Sequence, residues 1–187
     1  FFALFGVLSA IISPLFWRVL ADYQKDRLLS FIAESLDPLG KGYNSIQAMI
    51  SVGSGGFWGR GLGQGTQSHL AFLPERHTDF IFASLTEELG VFGGLLVLSA
   101  FVIILARVIV ILQNSNDIFE SALLGGIFAT IFIQAGVNIG MNMGLLPITG
   151  IPLPFVSSGG SSLLAMSAIL GLASNLSLHT RARSGIL

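Results

Sequence analysis

The sequence predicts an all-α integral membrane protein with about four transmembrane helices. Three observations carry this. Of the 187 residues, 52% are hydrophobic and only 10% charged, where ordinary soluble domains carry about a quarter charged residues. Apolar runs of about the ~20 residues needed to cross a bilayer recur along the chain. Between them lies a glycine-dense stretch, 42–90, that holds most of the chemically useful side chains. The absence of cysteine excludes a disulfide framework and a thiolate metal site. A net charge of -1 argues against a nucleic-acid partner.

The chain opens inside an apolar run without an initiating Met, so a longer polypeptide is expected. Residues 1–20 form the first expected span. They lack the basic start and small-residue cleavage site of a signal peptide. Pro14 should kink this span, and Trp17 and Arg18 suit an interface anchor. Over 22–37, charges alternate with Leu28, Leu29, Phe31, Ile32 and Leu36 at helical spacing. That pattern reads as an amphipathic helix lying along the membrane surface. Asp37-Pro38-Leu39-Gly40 reads as a break.

A short helix is expected over 43–52. Glycines at 53, 55, 56, 59, 61, 63 and 65 then force a loop. Its backbone is either a close approach to phosphate through N–H groups or a compact turn-rich connection. It is neither a Walker loop nor a dinucleotide fingerprint. Residues 79–112 should divide at Gly90, Gly93 and Gly94 into a short helix and a span beginning near Val91. Gln113 to Asp117 is a tight polar turn, and 119–141 is the next span. On it Thr130, Gln134, Asn138 and Asn142 recur every four residues and share a face. Such a stripe faces protein or water rather than lipid, either as interhelical hydrogen bonds or as the wall of a substrate cavity.

Residues 143–160 combine three prolines and four glycines with few polar side chains. This suggests a re-entrant or interface loop buried in protein. The last span is 161–179, with Ser167, Gly171 and Ser174 as a small packing face, followed by a tail over 180–187. Both termini then share one side, and the 21–78 and 143–160 loops share the other. Counting Lys and Arg naively would put the long loop inside, but its basic residues are interleaved with acids and it is near the length where the rule fades.

The charged knot Leu73-Pro74-Glu75-Arg76-His77-Thr78-Asp79 is the candidate chemical centre. Asp79 is either a reactive carboxylate or, with Thr78, the N-cap of the helix starting near Phe80. Glu87 and Glu88 follow on that helix. They are left outside the catalytic set, because a helix ending at Gly90 could hold both at the interface.

Two blocks are recognisable. GSGGFWGRGLGQGTQSHLAFLPERHTDFIFASLTEELG and NIGMNMGLLPITGIPLPFVSSGGSS resemble the C-terminal half of a SEDS protein, the RodA/FtsW/SpoVE family, and look most like the RodA branch. Ser158 stands where the family usually has tyrosine. The resemblance implies the last four helices of a roughly ten-helix fold. It also implies a multi-pass protein of the bacterial cytoplasmic membrane, an extracytoplasmic 21–78 loop and a cytoplasmic 180–187 tail. The implied activity is a peptidoglycan glycosyltransferase polymerising lipid II during elongation, shape maintenance or division, with a class B penicillin-binding protein as partner. The family's catalytic Asp in its HTDF motif corresponds to Asp79.

Such chemistry needs a base for the acceptor hydroxyl and cations for the departing pyrophosphate. Asp79 is the expected base. Arg60, Arg76, Lys41 and His77 are candidates for the pyrophosphate, and Glu75 for a supporting contact. Gln134 and Asn138 would serve from the polar stripe. A divalent cation could share the task, although no metal-ligand spacing supports one. The competing readings are a flippase of lipid-linked precursors and a non-catalytic scaffold for the penicillin-binding protein.

Overall fold

The computed structural model describes residues 18–22, 24, 25, 29, 43–69, 75, 77–115 and 117–183. Among these residues every regular element is a helix. The chain forms two compact units, Phe1–Tyr43 and Asn44–Leu187. In the first, the Ala21 carbonyl accepts from the N–H groups of Gln24 and Lys25 at 2.9 and 3.1 Å. Lys25 pairs with an exposed Asp22 at 3.4 Å, a surface pair of little energetic weight. Most of the expected 1–20 span, most of the expected 22–37 amphipathic helix and the whole 37–40 break lie outside the described residues.

The helices are α1 (Tyr43–Ser54), α2 (Thr66–His69), α3 (Ile81–Gln113), α4 (Ile118–Asn142) and α5 (Gly160–Arg183), all within the second unit except for Tyr43, the first residue of α1. Two of these, α3 and α4, are long and apolar enough to cross a membrane. They pack along one another. Leu124, Ile127, Ile131 and Ala135 of α4 recur at helical spacing and meet Phe82, Val97, Phe101 and Val108 of α3 in one buried cluster. Ala173 of α5 and Leu153 of the preceding loop complete it. The turn between α3 and α4 is tight because both ends are capped. Asn114 Nδ2 donates to the Val110 carbonyl at 2.7 Å, and Asp117 accepts the Phe119 N–H at 2.8 Å.

Helix α3 is interrupted once, at Gly90, where φ is 69° and ψ is -161°. The 91–113 portion, ~34 Å long at ~1.5 Å per residue, matches the apolar thickness of a bilayer. Gly93 and Gly94 stay helical, so of the three glycines only Gly90 divides the segment. The break exposes the last carbonyls of the 81–89 portion, and the glycine loop satisfies them. Arg60 N–H donates to the Glu87 carbonyl at 3.0 Å and Gly61 N–H to that of Glu88 at 3.1 Å. In return Val91 N–H donates to the Gly56 carbonyl at 2.9 Å. Backbone lies directly on backbone here: a Cβ at Gly59 would overlap the Glu88 carbonyl, and a Cβ at Gly90 would overlap Gly59 N. Of the two readings of the loop, the compact connection accounts for these amides, which are spent on α3.

Both glycines also have positive φ. Gly59→Ala and Gly90→Ala should therefore each destabilise the full-length protein by about 2 kcal/mol or more. Gly53→Ala, in α1 with open space around it, should leave stability unchanged or raise it by about 0.5–1 kcal/mol. Thermal melting of the detergent-purified proteins checks both.

Candidate active site

The turn ahead of α3 begins at Glu75, whose φ is 53°. Its carbonyl accepts from Thr78 N–H at 3.1 Å and from Phe80 N–H at 3.3 Å. Its carboxylate accepts the Thr78 hydroxyl at 3.0 Å. Glu75 thus closes the turn that presents the next residues. The N-cap of α3 is Phe80, without a side-chain cap bond, so neither Thr78 nor Asp79 occupies the capping position.

Three successive carbonyls of this turn are held from outside it. The His77 carbonyl accepts both N–H and hydroxyl of Ser158 at 2.9 Å. The Thr78 carbonyl accepts the Ser157 hydroxyl at 2.6 Å, and Ser157 in turn accepts the Leu153 N–H at 2.8 Å. The Asp79 carbonyl accepts from Asn138 Nδ2 and from Asn142 Nδ2, each at 3.0 Å. Asn138 also donates to the Ile151 carbonyl at 2.8 Å. Asn142 also donates to the Asn138 carbonyl at 2.8 Å and accepts the Ala83 N–H at 3.2 Å. An N–H can meet only the oxygen of an amide, so the Ala83 contact fixes which way the Asn142 side chain points. Ala83 lies in the first turn of α3, where N–H groups lack helical partners. Asn142 therefore caps α3 from another helix.

Both asparagines are fully buried, and their amide hydrogens are committed to carbonyls. The lower half of the polar stripe is thus hydrogen-bonded within the protein: Asn142 reaches α3, and Asn138 reaches the Asp79 turn and the Ile151 carbonyl. Thr130 bonds its own helix, donating to the Gly126 carbonyl at 2.8 Å. Gln134 keeps an enclosed Oε1 without a hydrogen-bond partner among the described residues.

With its backbone gripped, Asp79 carries a half-buried side chain. Gly150 lies beside the carboxylate: a Cβ on it would sit 3.6 Å from Asp79 Oδ2, an ordinary van der Waals contact. Gly150 has φ of 74°, so a larger residue would strain the backbone. His77 and Glu75 are exposed. Arg60 is exposed and lies in the loop at the Gly90 break, its Nη1 donating to Thr66 Oγ1 at 3.1 Å. Arg76 and Lys41 lie outside the described residues. The structure therefore gathers Glu75, His77, Asp79 and Asn138 around one turn and places Arg60 on a separate loop. Among the described residues no cluster of three His, Asp or Glu side chains offers a metal site. Ser157, an unremarkable serine in a loop, escaped sequence reasoning; Glu87, left outside the catalytic set as an interface residue, is instead fully buried.

Comparison with known proteins gives the site its context. The FtsW/RodA/SpoVE family model, described as "Cell cycle protein", matches residues 1–182. The peptidoglycan glycosyltransferase MrdB of Escherichia coli K12 is 45% identical over 175 residues, 93% of this chain and 47% of that protein. Stage V sporulation protein E of Bacillus subtilis is 46% identical over 161 residues, 86% of this chain and 44% of that protein. The probable peptidoglycan glycosyltransferase FtsW of Coxiella burnetii is 40% identical over 177 residues, 93% of this chain and 45% of that protein. The chain thus spans about half the length of these relatives. A solved chain, from work described as "Structural coordination of polymerization and crosslinking by a peptidoglycan synthase complex", aligns with a TM-score of 0.72 at 27% identity. The alignment covers 96% of this chain and 48% of that one. With the matched family model running almost from end to end, the chain belongs to the FtsW/RodA/SpoVE family, the SEDS proteins.

Proposed function

We propose that the full protein is a peptidoglycan glycosyltransferase of the bacterial cytoplasmic membrane, polymerising lipid II, and that Asp79 is its general base. This chain would supply the last four spans of a roughly ten-helix fold, with the 21–78 loop outside the cell and a class B penicillin-binding protein as partner. Two things support the reading: the activity named for relatives such as MrdB, and the geometry of the Asp79 turn. The observation that carries it is that turn. Five donors from outside it hold its three carbonyls, and the half-buried carboxylate stands beside Gly150.

In the reaction, the acceptor sugar hydroxyl gives its proton to the Asp79 carboxylate as its oxygen attacks the anomeric carbon. The bond from that carbon to the diphosphate breaks, and its electron pair leaves with the lipid diphosphate. Attack opposite the leaving group inverts an α-linked donor to a β-linked product. A diphosphate needs little acid assistance, so no second carboxylate is required. Arg60, Arg76, Lys41 and His77 are the cations available to the diphosphate, with Glu75 and Gln134 as further substrate contacts. Asn138 and Asn142 position Asp79 through its backbone. A flippase reading fits less well. Between residues 91 and 142 the charged residues are Arg107, Asp117 and Glu120. All three gather toward the α3–α4 turn rather than at mid-span, where a translocation path would use them.

Full-length protein in detergent should lose lipid II polymerisation on Asp79→Asn, which keeps the side-chain shape but not the basicity. The rate should fall by ~100-fold or more. Undiminished glycan product would overturn the base assignment and favour a scaffold. Asn142→Ala leaves the Ala83 N–H without its cap and takes one donor from the Asp79 carbonyl. It should cost roughly 2 kcal/mol of stability. In the molecules that remain folded, kcat should fall at least ~10-fold with KM little changed; steady-state kinetics beside a melting curve separate the two effects.

A further inference from the structure

Glu87 is the one charged side chain that is fully buried among the described residues, and the chemistry above does not use it. A carboxylate out of water must be well hydrogen-bonded to be tolerated. Glu87 Oε1 accepts the Gln67 N–H at 2.8 Å and faces the Thr66 hydroxyl at 3.4 Å. Thr66 Oγ1 in turn accepts from Arg60 Nη1 at 3.1 Å. The backbone N–H of Arg60 donates to the Glu87 carbonyl at 3.0 Å, and Arg60 Nε donates to the Ser54 carbonyl at 3.3 Å. Arg60 is thus referenced to Glu87 twice, once through its main chain and once through Thr66.

The guanidinium is nevertheless exposed. It makes no ion pair among the described residues, and its Nη2 makes no hydrogen bond there. Its surroundings fix a level. Phe57, Trp58 and Leu62 flank it in sequence and are exposed. The Trp58 ring lies 5.2 Å from that of Phe92, at the start of the apolar 91–113 portion. Tryptophan is enriched where a bilayer's apolar core meets its headgroups. A preset planar fork at that level suits two phosphate oxygens at once.

We propose that Glu87, acting through Thr66, is a positioning residue that orients Arg60 at the membrane surface to bind the diphosphate of the lipid-linked sugar substrate. This rests on the glycosyltransferase reading for the sugar, but the anion site can be measured without turnover. The experiment uses the full-length protein in detergent with Arg60→Ala, Thr66→Val, Glu87→Gln and Asp79→Asn. Binding of polyprenyl diphosphate and of polyprenyl monophosphate is measured directly, beside kcat and KM for polymerisation. Arg60→Ala and Thr66→Val should weaken diphosphate binding roughly tenfold, and monophosphate binding much less. KM should rise in parallel while kcat stays within about twofold. Thr66→Val leaves the carboxylate in place, so it decides the matter should Glu87→Gln fail to fold. Asp79→Asn should bind diphosphate as the wild type does. If it also polymerises normally, the catalytic reading falls while the anion site stands. Diphosphate affinity unchanged in folded Arg60→Ala and Thr66→Val would overturn the proposal, as would a loss confined to kcat.

Discussion

The arrangement depends on one amide. Asn142 takes the Ala83 N–H on its oxygen and gives hydrogens to the carbonyls of Asp79 and Asn138. Each bond contributes only about 1 kcal/mol net, but an orphaned buried partner costs ~1–3 kcal/mol. The weight of the interaction therefore lies in what its loss would leave unpaired. Because the same side chain caps α3 and holds the residue two positions before it, the start of the helix and the placing of the carboxylate are a single event. Both also require α3 and α4 to be packed in register, which the Phe82, Val97, Leu124 and Ile131 cluster provides.

What the sequence reveals and what it hides divide along a physical line. Composition and run length are local, and they expose the apolar segments. Glycine density is local, and it exposes a loop. The four-residue spacing of Thr130, Gln134, Asn138 and Asn142 shows that they share a helix face. It does not show what that face touches, because Asp79 lies 59 and 63 residues from the two asparagines that hold it. The local rule for helix starts makes Thr78 or Asp79 a cap. The structure puts the N-cap at Phe80, and the donor-rich first turn is served across the helix pair, so a tertiary contact replaces the local one. For the adjacent Glu87 and Glu88, no local pattern says which faces inward. Burial is decided by α2 and the glycine loop folding back onto α3. The identity of the HTDF aspartate came from resemblance to a family and not from spacing.

The break at Gly90 gives the glycine loop its purpose. A helix that stops leaves carbonyls without partners, and here another piece of chain fills them. Gly59 and Gly90 are needed because each occupies the space a side chain would claim on the other. The loop thereby becomes a rigid extension of α3. Residues that ride on it, Trp58 and Arg60 among them, inherit a fixed relation to the 81–89 portion and, through it, to the turn at Asp79.

The donors that seize the carbonyls of His77, Thr78 and Asp79 come from two amides, two hydroxyls and a peptide N–H. None carries a formal charge. The donors on Ser157, Asn138 and Asn142 are buried, and such dipoles feel dissolved ions very little, whereas exposed charges more than a Debye length apart, ~8 Å at physiological ionic strength, are largely screened. Added electrolyte should therefore loosen the protein's hold on an anionic visitor long before it disturbs the scaffold that aims the carboxylate.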